Sequence, residues 1–136
     1  MSDIEARLQA LEDTEAIKRL KYDYLFFSDQ KLPEKMRECF APGEVTIDYG
    51  RIGVFKSRDE LVAVFDQLAC ADHIIEMHHA QNPQISFNDD THAQGHWGLY
   101  YFLINTRDNT TTQLGGFYED EYVLTNSGWQ ICASTF

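Results

Sequence analysis

The sequence predicts an α+β fold, a cone-shaped barrel in which N-terminal helices pack in a highly curved, mostly antiparallel sheet. Three observations predict it. Apolar residues at helical spacing are concentrated in the first half of the chain, whereas after Asp72 the pattern changes to long strands separated by polar turns. Helices first and an antiparallel meander second is the order of an α+β arrangement, with helices covering one face of the sheet. The 136 residues, 43% hydrophobic and 13% aromatic, suffice for one sizeable core, so residues 1–136 are expected to form a single domain.

Ser2 followed by Glu5 is a capping box, and Ile4, Leu8 and Leu11 then share a helical face. That face continues through Ile17, Leu20, Tyr24 and Phe27, with Asp13-Thr14-Glu15 as a place for a kink or a fresh start, and it puts Tyr24 on the buried side. Lys31-Leu32-Pro33 ends the segment, and Pro33 suits the first turn of a short helix carrying Met36, Cys39 and Phe40. Val45 to Tyr49 and Val54 to Lys56 are short strands around the turn from Gly50 to Gly53. A second capping box, Ser57 and Glu60, opens a helix with Leu61, Val64, Phe65 and Leu68 on its apolar side.

The long strands follow. His73 to Phe87 is interrupted at Asn82-Pro83, where a proline implies a bulge or an edge. Asn88-Asp89-Asp90 turns into Thr91 to Thr106, Asp108-Asn109 into about Thr111 to Leu124, and Asn126-Ser127-Gly128 into Trp129 to Ser134. In the strand Gly95 to Asn105, both parities are apolar: His96, Tyr100, Phe102 and Ile104 on one, Trp97, Leu99, Tyr101 and Leu103 on the other. The outer face is therefore expected to bury itself in another copy, as a homo-oligomer, a dimer or trimer.

Composition narrows the partners. A formal net charge of −11 opposes nucleic acid and anionic membrane, whose binding depends on Lys and Arg. No apolar run approaches the roughly 20 residues that span a bilayer, and Met1-Ser2-Asp3 does not open a secretory signal, so a soluble, cytoplasmic protein is expected. Cys39, Cys70 and Cys132 are odd in number and lack CxxC spacing, so they are expected to be reduced core thiols. The five histidines form no ligand pattern, and GxGxxG, Walker and GxSxG motifs are missing. No metal and no cofactor are expected.

Tyr24, Asp29 and the pair His78-His79 carry the chemistry. A histidine held by a carboxylate is a general base, and a buried tyrosine donates a hydrogen bond to a developing oxyanion, a combination suited to proton abstraction beside a carbonyl. Tyr24 and Asp29 stand about 140° apart around the helix axis and so flank a site. Neighbouring strand residues point to opposite faces, so at most one of the two histidines reaches the cavity unless a bulge intervenes. Each residue also has a plain structural reading, Tyr24 as a core aromatic and Asp29 as a solvated carboxylate at a helix end.

The segment from Glu15 to Tyr24 with Asp29, then Met77-His78-His79 before Asn82-Pro83-Gln84-Ile85, then Gly115 to Tyr122 with Gly128-Trp129, resembles the SnoaL-like branch of the nuclear transport factor 2 superfamily. The nearest likenesses within it are bile-acid 7α-dehydratase, scytalone dehydratase and the hexachlorocyclohexane dehydrochlorinase. The resemblance implies a cofactor-free eliminase with a His-Asp dyad in the cone, and it matches Tyr24, Asp29 and His78 to the bile-acid enzyme's tyrosine, aspartate and histidine, with His79 facing away. Tyr101 stands where that enzyme has a further aspartate, which speaks against bile-acid dehydration itself. The sequence also stops soon after its last strand, so the C-terminal lid of longer relatives is not expected.

The expected function is a cofactor-independent dehydratase acting on a hydrophobic, cyclic hydroxy-carbonyl compound. His78 is its base, Asp29 orients His78, and Tyr24 binds a substrate oxygen. Tyr49 and Tyr101 are candidates for shaping the pocket, and Phe26, Phe27, Phe40 and Phe65 for its apolar walls. A ketosteroid-type isomerase needs the same parts, and a non-catalytic small-molecule-binding or dimerisation module is a different use of the same cone. The dyad requires an Asp29 oxygen within about 3.2 Å of a His78 ring nitrogen, or one bridging water away.

Overall fold

A computed structural model describes residues 2–136. Ser2 Oγ accepts the Glu5 N–H at 3.1 Å and caps α1 (Asp3–Asp29). This helix runs without a break, because the Thr14 hydroxyl is satisfied inside it, donating to the Ala10 carbonyl at 2.8 Å instead of capping a new start. Only from Ile17 onward is its apolar face buried. Ile4, Leu8 and Leu11 do share a face, but they are exposed.

Pro33 starts the short helix α2 (Pro33–Arg37), and Ser57 caps α3 (Arg58–Leu68) through the Glu60 N–H at 3.2 Å. Between them lie β1 (Thr46–Asp48), a 3-10 turn at Gly50–Ile52 and β2 (Val54–Phe55). The four long strands are β3 (Ile74–Phe87), β4 (His92–Asn105), β5 (Thr110–Thr125) and β6 (Gly128–Thr135). The turn before β2 depends on Gly53, whose φ of +143° is closed to residues with a side chain.

The six strands form one sheet in the order β2-β1-β6-β5-β4-β3, antiparallel except where β1 runs parallel to β6 with Thr46 opposite Ala133. The sheet curls around the helices without closing, since β2 and β3 remain edges. Two irregularities bend it. In β3 the register shifts between Gln81 and Gln84, where Asn82 is left-handed at φ +54° and Pro83 has no N–H to contribute. The second lies between Glu121 and Tyr122 of β5, where Cys132 of β6 has no opposite residue.

The concave face carries Trp97, Leu99, Tyr118, Tyr122 and Ile131 into one core with Ile17, Leu25 and Phe40. The convex face exposes Ile75, Met77, Tyr100 and Phe117, so the two apolar parities of β4 meet different surroundings. Of the three cysteines, all free, only Cys39 is a core thiol. Cys70 and Cys132 are partly exposed, which corrects the expectation for those two.

Candidate active site

The end of α1 lies against β3, and this brings Asp29 to His78. Asp29 Oδ1 stands 2.6 Å from His78 Nδ1, inside the distance that the dyad requires, and Oδ2 accepts the His78 backbone N–H at 3.1 Å. A carboxylate at a helix C-terminus faces the negative end of the helix dipole, so these two contacts offset an otherwise poor position. With Nδ1 engaged, Nε2 is the ring nitrogen left for a ligand. His78 lines the cavity, whereas His79 is exposed on the opposite face, as strand alternation requires.

The cavity encloses about 300 Å³ between α3 and the concave sheet. Its walls are mostly apolar, with Leu61, Val64, Phe65 and Leu68 from α3 facing Leu99, Leu103 and Leu114, and Phe136 and Ile52 complete the lining. Polar groups enter at a few points only, through Tyr24, Tyr49, Tyr118, His78, Glu76, Tyr101 and Ser28. A small apolar chamber with few convergent polar groups is the usual form of a small-molecule site.

Tyr24 is the cavity end of a buried hydrogen-bond chain. Its hydroxyl lies 2.9 Å from that of Tyr49, which donates to Ser134 Oγ at 3.3 Å, and Ser134 donates to Asp120 Oδ1 at 2.6 Å. A hydroxyl has one proton, so Tyr49, donating to Ser134, accepts from Tyr24. Asp120 Oδ2 receives the Lys21 ammonium at 2.7 Å and the Tyr122 hydroxyl at 2.9 Å, and Tyr122 in turn accepts from Trp97 Nε1 at 2.9 Å. Lys21 and Asp120 are both buried, with the ammonium 3.4 Å above the Tyr118 ring centroid.

Electrostatics follow from this burial. Desolvation pushes the Tyr24, Tyr49 and Tyr118 phenols up, so they remain neutral donors well beyond the ordinary phenol range. Desolvation lowers Lys21, and Asp120 opposes that fall.

Of the residues expected to shape the pocket, Tyr49, Tyr101 and Phe65 line it, whereas Phe27 and Phe40 do not. Phe40 is fully buried behind Tyr24, edge-on at 5.1 Å between centroids. Phe27 lies three helix positions beyond Tyr24 and packs against Phe26, which is itself exposed. The wall is supplied by α3 instead.

Glu76 was not among the expected residues. It precedes His78 by two positions, and the two-residue strand period puts both on the concave face. Its Oε2 accepts the Tyr101 hydroxyl at 2.5 Å, and the Tyr101 ring tilts against that of His78 at 4.8 Å between centroids. Position 101 lacks a carboxylate, but its side chain holds one. Counting back by two from His78 is the signal that finds Glu76. Lys21 and Asp120 carry no comparable signal in the sequence. Among the described residues, no three His, Cys, Asp or Glu side chains gather as a metal-binding group, and no helix is long and apolar enough to cross a membrane.

A family model described as a SnoaL-like domain matches residues 9–135. Among solved structures, a candidate scytalone dehydratase from Novosphingobium aromaticivorans is 21% identical, with 93% of this chain and 84% of that chain covered and a TM-score of 0.85. The hexachlorocyclohexane dehydrochlorinase LinA-type3 from Novosphingobium barchaimii is 16% identical over 95% of this chain and 88% of its own, with a TM-score of 0.83. An NTF2-like protein with a cystatin-like fold from Novosphingobium aromaticivorans is 19% identical over 98% and 86%, with a TM-score of 0.80. At these identities the likeness is one of fold.

Proposed function

This chain belongs to the SnoaL-like domain family, and from that premise we propose that it is a cofactor-independent lyase, a dehydratase of a hydrophobic, cyclic hydroxy-carbonyl compound. The observation that carries this reading is the 2.6 Å contact between Asp29 Oδ1 and His78 Nδ1 at the wall of an apolar cavity. His78 Nε2 takes the proton from the carbon beside the carbonyl, and the electron pair moves onto the carbonyl oxygen as an enolate. The Tyr24 hydroxyl turns from Tyr49 to donate to that oxygen. As the enolate collapses, the β-hydroxyl leaves with the proton from the His78 imidazolium, giving water and an unsaturated ketone. Asp29 keeps the proton on Nδ1 beforehand and balances the imidazolium afterwards.

Two of the similar structures carry the names of a dehydratase and a dehydrochlorinase, both eliminating enzymes, which favours elimination over isomerisation in the same cavity. Residues 1–136 act as one domain, and the apolar convex face around Met77, Tyr100 and Phe117 supports a homo-oligomer, a dimer or trimer.

The test is a panel of cyclic hydroxy-ketones and hydroxysteroids assayed for loss of water with the wild type and His78→Ala. Turnover by the wild type that the variant lacks is the expected result. Equal turnover by both removes His78 as the base.

A further inference from the structure

The proposed elimination uses His78, Asp29 and Tyr24 and leaves Glu76 without a part. Glu76 and His78 leave the same face of β3 two residues apart, which separates them by roughly 7 Å along the strand. Glu76 Oε2 is held by the Tyr101 hydroxyl, while Oε1 has no hydrogen-bond partner among the described residues and is not sealed from open space. Burial and the Glu76 charge together push the Tyr101 phenol up, so Tyr101 stays a donor that fixes the carboxylate. Neither lysine nor arginine lines the cavity; of the ammonium groups around it, Lys21 is paired with Asp120 and Lys31 donates to the Ala71 carbonyl at 2.6 Å.

We propose that Glu76 Oε1, oriented by Tyr101, is a second polar anchor in the cavity, accepting a hydrogen bond from a substrate hydroxyl at a point displaced along β3, by roughly 7 Å, from the part of the ligand that meets His78. The ligand is then an uncharged cyclic compound with polar groups at two separated points. A hydroxyl donating to a carboxylate makes a charge-assisted hydrogen bond, stronger than a neutral one. A ligand carboxylate at the same place meets like charge in an apolar chamber whose lining holds no lysine or arginine, so carboxylic acids are rejected. This inference rests on the cavity being the substrate site, but not on His78 being the base.

The test uses three naphthalenes of one shape, 2-naphthol, 2-methoxynaphthalene and 2-naphthoate, titrated calorimetrically near pH 7, where the carboxylate is ionised and the naphthol is not. The wild type is expected to bind 2-naphthol about 10-fold more tightly than the ether and about 100-fold more tightly than the carboxylate. Glu76→Gln is expected to narrow the gap to 2-naphthoate at least about 10-fold. His79→Ala, on the opposite face of the same strand, is expected to keep the wild-type order.

Equal wild-type affinity for 2-naphthol and 2-naphthoate overturns the proposal, as does an unchanged ratio in a folded Glu76→Gln or loss of the order in His79→Ala. Failure of all three probes to bind overturns it too, together with the cavity as a ligand site. If circular dichroism shows Glu76→Gln to be unfolded, the wild-type order decides.

Discussion

Asp29 turns both carboxylate oxygens onto a single residue, His78, one to the ring Nδ1 at 2.6 Å and one to the backbone N–H at 3.1 Å. The ring is therefore fixed relative to its own main chain, and a neutral imidazole held this way carries its proton on Nδ1. Asp29→Asn keeps the shape but presents an amide N–H to Nδ1, which moves the ring proton to Nε2 and removes the lone pair that faces the substrate. Turnover in the dehydration panel is expected to fall roughly 10³- to 10⁴-fold, the scale of comparable tautomer errors. Nitrogen-15 correlation spectra of the His78 ring check the cause: an unchanged tautomer in the variant would sink it.

The buried and partly buried tyrosines predict a response to alkali. Desolvation raises Tyr24, Tyr49, Tyr101, Tyr118 and Tyr122 above the ordinary phenol value. An unfolded phenol ionises near pH 10, and these five ionise higher in the folded state, so their contribution is complete below about pH 10. Above that pH the unfolded chain releases protons that the folded chain retains, and stability is lost as pH rises. Phenolate absorbance in the native protein is expected to fall short by five of that reached by all seven tyrosines after unfolding. Full ionisation without unfolding contradicts the burial argument.

The sequence speaks clearly where the determinant is local. Both capping boxes, Pro33, the polar turns and the Asn82-Pro83 irregularity act within a few residues, and each lies where its spacing predicts. The meeting of Asp29 with His78 is legible because the helix end and the strand alternation each constrain one partner. What is not local is not legible. Helical spacing marks Ile4, Leu8 and Leu11 as one face without saying that this chain leaves it uncovered. Phe27 and Phe40 read as pocket walls because aromatic type does not report direction. The parallel pairing of β1 with β6 depends on a return across the whole sheet, which a three-residue strand does not announce. Nothing local marks Lys21 as buried, because its partner Asp120 lies 99 residues away.

That pair gives the third prediction. Lys21 and Asp120 have fully buried side chains, and Asp120 also anchors Ser134 and Tyr122. Removing one ion leaves the other without its counter-charge in a medium that solvates it poorly. Lys21→Met is expected to lower the unfolding free energy by about 3–5 kcal/mol, read from urea titrations. Adding Asp120→Asn removes the stranded charge while keeping an acceptor, so the double variant is expected to be more stable than Lys21→Met alone. A double variant less stable than the single one contradicts the charge as the cause.

The fourth prediction concerns the cavity wall at Gly116. This residue lies opposite Leu99 on the concave face, and the ring of Phe136 rests over it, so a Cβ added there overlaps the end of the ring. The backbone of Gly116 is not left-handed, which leaves the ring, not strain, as the reason that glycine fits. Phe136 is partly exposed and its ring end can swing, so Gly116→Ala is expected to displace the side chain at a cost of about 1 kcal/mol, the low end of the range for an overpacked core. The swing breaks the tilted contact with Tyr118, now 5.1 Å between centroids, and widens the chamber on that side. Nuclear Overhauser contacts between the two rings are expected to vanish in Gly116→Ala, and the stability loss is expected to shrink in Gly116→Ala/Phe136→Leu, where the ring is gone. Ring contacts that persist in the single variant show that the wall yields somewhere other than Phe136.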